Sequence, residues 1–395
     1  MKLRVAVFFL LSAFLANLAG SQQKPPQDLQ PVIDQLDKTA AELVKDPNAA
    51  SFTIGLVQKS GLVWTKSYGY ADIGQKKLAN ADSVYRIGSI TKQFTALMML
   101  QLVHDGKVHF SDPVEKYFPE IHQITGGYKG APPITLVQLA THTSGLDVEP
   151  DDMQTYVKGP VSEWEKTLIS ALPHTKYLYE PGTRFSYSNI GYAILGAALS
   201  RAAHQPFTEY VKQKILIPLG MTHTDFEATT AIRQNLTTGY DVALSDHFDA
   251  ETPEKEHAGR GYKVPNGALY TTVGDLARFE VFEMLGGPDT VLPKKVLEEN
   301  ADRIITTNRE LTRSFGIGFA LRVRSPSGWA NFSSHLTALF VVGGNVWWLM
   351  RGCCCGRAQG LKPDQFRAIA ARVNSCPDTC LPYGNRQNKD MLFRG

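Results

Sequence analysis

Cysteine is missing from the first 352 residues of this 395-residue chain, which excludes a disulfide framework or a cysteine-held metal centre in its body. After residue 21, no apolar run is long enough for a membrane-crossing helix, which needs roughly 20 residues. Lysine and arginine form no stripe and the formal net charge is +3, so composition gives no ground for a nucleic-acid surface. No internal repeat or low-complexity tract stands out, which sets aside solenoid architectures. The cysteines that do occur are Cys353, Cys354, Cys355, Cys376 and Cys380. Their odd number leaves one over in any pairing, and no paired Cys-x-x-Cys spacing marks a zinc site.

What is present is an apolar content of 43%, enough for a sizeable core in one large or two interleaved domains. Residues 1–21 join a basic start to an apolar run and the small residues Ala19, Gly20 and Ser21. That pattern predicts a secretory signal peptide, hence a secreted or periplasmic protein with no stable membrane span after cleavage. A polar linker, residues 22–30, follows. Val32, Ile33, Leu36, Ala40, Leu43 and Val44 recur at helical spacing, and two β-type runs, Phe52–Val57 and Leu62–Tyr68, flank Lys59-Ser60-Gly61 as a hairpin.

Ser89 and Lys92 stand three residues apart at the start of an apolar run in which Phe94, Leu97, Met98 and Leu102 keep helical spacing and Gln101 is the polar break. On a helix both side chains share a face, close enough to hydrogen-bond. A serine hydroxyl becomes a nucleophile when a neighbouring base takes its proton, and lysine serves as that base when its surroundings hold it neutral. The helix start disfavours a protonated Lys92 and favours negative charge near Ser89. Ser21-Gln22-Gln23-Lys24 has the same spacing but no helix behind it.

Further along, residues 134–140 predict a short helix running into a turn at Thr141-His142-Thr143-Ser144-Gly145, residues 147–180 read as irregular, and an apolar helix spans Ile190 to Ala203. Helices are also expected over residues 206–219 and from Thr272 to Phe282, with a polar stretch, 225–262, between them. Phe315 to Leu321 reads as a strand, Leu336–Val342 and Val346–Leu349 as a hairpin, and the spacing of Phe366, Ile369, Ala370 and Val373 as a terminal helix. Tyr187-Ser188-Asn189 is the second chemical element. A tyrosine beside a lysine serves as a base or relay, because positive charge favours phenolate, and an asparagine amide holds both the lysine and a substrate carbonyl.

With these residues in place the chain resembles the class C β-lactamase-like, penicillin-recognising serine hydrolases, which include esterases and D-amino-acid peptidases. The resemblance rests on Gly88-Ser89-Ile90-Thr91-Lys92-Gln93-Phe94, Thr141-His142-Thr143-Ser144-Gly145-Leu146, Phe185-Ser186-Tyr187-Ser188-Asn189-Ile190-Gly191-Tyr192, Pro218-Leu219-Gly220-Met221 and Gly267–Leu276, in the family's order. It implies an α/β (α+β) fold in which a largely antiparallel sheet is flanked by helices and an all-helical domain is inserted. The catalytic domain would span residues 31–325, with its α/β part near 31–105 and 265–350 and its helical part near 106–264, followed by a cysteine-containing tail, 351–395. Ser89 would be the acylated nucleophile, Lys92 and Tyr187 the proton-transfer pair, and Asn189 the substrate-orienting amide. The backbone N–H of Ser89 and a C-terminal strand would form the oxyanion hole. The substrate would be a small molecule or peptide, with no metal or organic cofactor.

One departure stands out. The family's Lys/His-x-Gly element on the strand closing the cleft is missing: His335-Leu336-Thr337 lacks the glycine, and His257-Ala258-Gly259 comes too early in the chain. Divergence of that strand, or a shifted reading frame beyond about residue 325, both account for it. The departure also raises a catalytically impaired member that binds cell-wall peptide or a partner without turnover.

Overall fold

Alternation along Ser51–Gln58 (β1) sends Phe52, Ile54 and Leu56 to one side and Thr53, Gly55 and Val57 to the other, and the sheet assembles around this strand. In the computed structural model, which describes residues 29–45, 50–128, 130–240, 254–301, 313–314, 322–323, 337–342 and 349–351, β1 is buried on both faces. Its hairpin partner is Gly61–Asp72 (β2), paired antiparallel from Ser51↔Gly69 to Gln58↔Gly61. The order β3-β2-β1-β8-β9 is completed by Lys77–Leu78 (β3), Thr337–Val342 (β8) and Leu349–Arg351 (β9). Short pairs Tyr85–Arg86 (β4) with Tyr270–Thr271 (β5), and Arg313–Ser314 (β6) with Arg322–Val323 (β7), lie outside that sheet. The sheet is antiparallel throughout its described pairs.

Helix Gln30–Leu43 (α1) buries Ile33, Leu36 and Ala40 against Phe52, Ile54 and Leu56, so the sequence's first amphipathic stripe covers one face of the sheet. The opposite face carries Val273–Val281 (α9), which is capped by Thr272. A Cβ on Gly55 would lie 2.7 Å from Val273 Cγ1, so glycine in mid-strand is what lets this helix approach.

Behind α9 run two helices buried on all sides, Thr91–His104 (α2) and Asn189–Ala203 (α5). Each fully buried Leu, Met or Phe here contributes about 1.5–3 kcal/mol, and Phe94 stacks on Phe279 at 4.3 Å between ring centroids. The polar break, Gln101, is satisfied: its Nε2 donates to the carbonyls of Val291 at 2.7 Å and Lys214 at 3.2 Å. The helix stops at Asp105, and Gly106 follows in the left-handed conformation that glycine adopts readily. Helix α5 packs on the short helix Val264–Gly267 (α8) through Gly196, where an added Cβ would lie 2.5 Å from Pro265 Cβ and Cγ. Gly196→Ala is therefore expected to lower stability by about 1–3 kcal/mol in urea unfolding; an unchanged midpoint would show that the contact yields freely.

Between residues 106 and 264 the regular elements among the described residues are helical: Leu136–Ala140 (α3), Trp164–Ala171 (α4), Phe207–Val211 (α6) and Thr230–Asn235 (α7), with shorter turns. Two expectations need correction. Residues 147–180 are not wholly irregular, because Trp164, Leu168 and Ala171 bury one face of α4, and the polar stretch 225–262 contains α7. The helix expected over 206–219 is α6 continued by a wider π turn, Lys212–Leu216. The C-terminal hairpin is described where Thr337–Leu339 pairs with Leu349–Arg351, and Leu336 and Val346–Trp348 lie outside the described residues. The strand expected from Phe315 to Leu321, the helix around Phe366–Val373, the cysteines, the signal peptide and most of the linker lie outside the described residues. The last described helix of this part is Lys294–Ala301 (α10).

Candidate active site

Backbone pairing of β4 with β5 delivers the chain to Gly88, whose positive φ turns it into the 3-10 segment Gly88–Ile90 and then into α2. Ser89 is left exposed at that turn, while Lys92, one turn on, is buried. The other half of the site is set by a helix cap. Ser188 Oγ accepts the N–H of Gly191 at 2.9 Å and donates to the carbonyl of Asp147 at 2.7 Å, which holds Tyr187 just outside α5 and makes Asn189 its first residue.

These elements meet at Ser89. Tyr187 Oη donates to Ser89 Oγ at 2.7 Å, and Lys92 Nζ lies 3.2 Å from the same oxygen. Lys92 Nζ also donates to Asn189 Oδ1 at 2.7 Å and to the backbone carbonyl of Asn266 at 3.1 Å. Asn266 Nδ2 returns a bond to the carbonyl of Asn189 at 2.8 Å, tying α8 to α5 across the lysine. Behind Asn189, Glu149 Oε1 accepts from Asn189 Nδ2 at 2.8 Å and from Lys263 Nζ at 2.7 Å, and Tyr262 Oη donates to Oε2.

Burial is the largest influence on Lys92 and pushes its pKa well below the ordinary 10.5; Lys263 adds to the depression and Glu149 opposes it. Burial also raises Tyr187, against a smaller lowering by the Ser89 hydrogen bond. This corrects the expectation that lysine would favour phenolate: burial outweighs it and holds Tyr187 as a protonated donor. His142, in the turn after α3, is pushed well down by burial and then by Lys92. Its ring lies 4.4 Å from that of Tyr187 and 4.9 Å from that of Tyr192, and its Nδ1 accepts the N–H of Ser188 at 3.0 Å.

A family model described as Beta-lactamase matches residues 36–352. The chain belongs to the beta-lactamase family. The match runs past residue 325, where the motif-by-motif resemblance ends, and takes in β8 and β9. Beta-lactamase-like protein 2 of Dictyostelium discoideum is 31% identical over 314 residues, covering 76% of this chain and 56% of that protein. Protein flp of Staphylococcus aureus (strain N315) is 29% identical over 65% of this chain and 49% of its own length. The chain thus spans about half the length of these curated relatives. In fold it is similar to EstCE1, a hydrolase with promiscuous acyltransferase activity, with a TM-score of 0.69 at 17% identity over 87% of this chain and 98% of that one. It is also similar to the D-alanine carboxypeptidase AmpC from Burkholderia cenocepacia, with a TM-score of 0.54 at 23% identity over 72% of each chain.

In this beta-lactamase family member the four residues picked from the sequence, Ser89, Lys92, Tyr187 and Asn189, are joined by direct hydrogen bonds. His257, the early His-x-Gly match, does not join them and instead bonds Tyr270 Oη through Nδ1 at 2.7 Å. His335 and Leu336, where the closing-strand element was sought, lie outside the described residues. Sequence reasoning missed Glu149, Tyr262, Lys263 and the carbonyl of Asn266. Asn266 directly precedes the Gly267 motif, which is a usable signal, whereas no short-range spacing links Glu149 or Lys263 to Ser89.

Proposed function

We propose that the protein is an exported serine hydrolase that forms an acyl-enzyme on Ser89 and acts on esters, amides or D-amino-acid peptides. The observation that carries this reading is the pairing of an exposed hydroxyl with a buried amine whose pKa is strongly depressed. A neutral Lys92 has two N–H bonds and one lone pair. Asn189 Oδ1 and the Asn266 carbonyl take up the two N–H bonds, which leaves the lone pair for the Ser89 hydroxyl.

On attack, the Ser89 proton moves to Lys92 Nζ as the serine oxygen bonds to the acyl carbon. Tyr187 gives its hydroxyl proton to the leaving group, and the Lys92 ammonium then restores the tyrosine. Deacylation runs the relay in reverse with water in place of the leaving group: water bonds to the acyl carbon and gives its proton through Tyr187 to Lys92, which returns a proton to the departing Ser89 oxygen. The Ser89 backbone N–H, at the entry to α2, supplies one oxyanion donor, worth roughly 3–4 kcal/mol in such sites. The hydrolase and carboxypeptidase named among the structural neighbours support acyl transfer as the reaction class.

The second reading, an impaired member that binds cell-wall peptide or a partner without turnover, rests on the missing Lys/His-x-Gly element. The complete base arrangement around Ser89 favours turnover. Incubation with a fluorophosphonate or a penicillin, followed by peptide mass spectrometry, is expected to place the adduct on Ser89. Chromogenic-ester turnover over many equivalents then separates the two readings: labelling without sustained release identifies the impaired form.

A further inference from the structure

Glu149 has no hydrogen bond to Ser89 or Lys92 among those described, yet it has three donors converging on its two oxygens from two places in the chain. Asn189 belongs to α5, and Tyr262 and Lys263 belong to the turn that leads into α8. The carboxylate and the Lys263 ammonium form an ion pair at 2.7 Å in which both side chains are mostly buried. Resting on the hydrolase reading, we infer that Glu149 and Lys263 form a charge-balanced positioning pair that fixes the Asn189 amide and sets the pH at which Lys92 becomes a base.

The geometric half of the inference follows from the asymmetry of an amide. Asn189 presents Oδ1 to Lys92 only while its Nδ2 faces a hydrogen-bond acceptor, and Glu149 Oε1 is that acceptor at 2.8 Å. With the carboxylate removed, a flipped amide would present N–H to the lysine, and the two N–H bonds of neutral Lys92 would no longer be directed away from Ser89. Tyr262 and Lys263 hold the carboxylate in turn, so the orientation is fixed from the α8 side of the cleft, the same side that supplies the Asn266 carbonyl.

The electrostatic half follows from opposite signs. The charged and titratable groups around Lys92 are Glu149 from the turn after α3, Lys263 from the turn before α8, His142, Tyr187 beside α5, and Tyr192 within it. The tyrosines face Lys92 with their rings, at 4.9 and 5.5 Å from Nζ to the centroids, and His142 is held neutral by burial. Glu149 and Lys263 therefore supply the opposing fixed charges, one favouring ammonium and the other disfavouring it. The two charges oppose one another, and burial is the largest influence.

The test uses the full chain and reads the acidic limb of kcat/KM for a neutral chromogenic ester. Glu149→Gln keeps an acceptor for Asn189 but removes the negative charge; the limb is expected to move down by about one pH unit. Lys263→Met removes the positive charge and is expected to move the limb up by a similar amount. Glu149→Ala, which also frees the amide, is expected to lower the plateau kcat about 10-fold or more with a smaller change in KM. Opposite shifts in the first two variants support the pair. Shifts of the same sign, or none, in variants that melt cooperatively would overturn it. Ser89→Ala run alongside separates the failures: if that variant also turns over ester, the hydrolase reading falls, and if it is dead while the limbs stay put, only this inference does.

Discussion

Ser89→Ala is expected to lower kcat for a chromogenic ester by roughly 10⁴-fold or more and to abolish labelling by an acylating probe, while the melting temperature moves little. The size of the loss follows from the position of the hydroxyl. Lys92 Nζ and Tyr187 Oη both hydrogen-bond Ser89 Oγ, so its removal takes away the hydroxyl on which the proposed base and acid act. Stability is barely affected because Ser89 is exposed and lies in a 3-10 turn whose backbone does not need the side chain. A variant that kept its label would mean that the adduct forms elsewhere and that the cluster is structural.

Lys92→Arg has the second largest expected effect, a fall in kcat of roughly 10³-fold. Arginine keeps the positive charge and the donors to Asn189 Oδ1 and the Asn266 carbonyl, but it does not deprotonate in proteins, so it cannot accept the serine proton. On the proposed mechanism, kcat/KM of the wild type is expected to rise with pH through the depressed pKa of Lys92, because only the neutral amine is a base. Near-normal turnover by Lys92→Arg would sink the assignment of Lys92 as base. The same depression has a stability consequence. The folded state binds fewer protons than the unfolded one between the lowered value and 10.5, so unfolding free energy rises with pH across that window and is lost as pH falls through it. Lys92→Met removes the titrating group, and its unfolding free energy is expected to lack that slope in urea titrations at a series of pH values.

The helices that the sequence concealed share a cause. Trp164, Leu168 and Ala171 form the buried face of α4, but only two turns of helix carry it, and Glu165, Lys166, Thr167, Ile169 and Ser170 fill the remaining positions. A helix that short gains its stability from the surface it packs on rather than from its own periodicity. The same holds for α7, which buries Ile232 alone. Long segments with a continuous apolar surface, α2 and α5, were legible because nearly every position is buried and the sequence shows it.

Local chemistry in the sequence settled whatever depends on neighbours a turn apart: the Ser89–Lys92 spacing, the β1–β2 hairpin, and the placing of Tyr187 and Asn189 at the entry to an apolar helix. What depends on distant segments was decided by the tertiary fold alone. Tyr187 reaches Ser89 across 98 positions, and the Asn266 carbonyl reaches Lys92 across 174. The proton affinities belong to that same level. A lysine becomes a base, and a tyrosine stays protonated, only when packing has removed both from water, and no stretch of sequence read by itself specifies that burial.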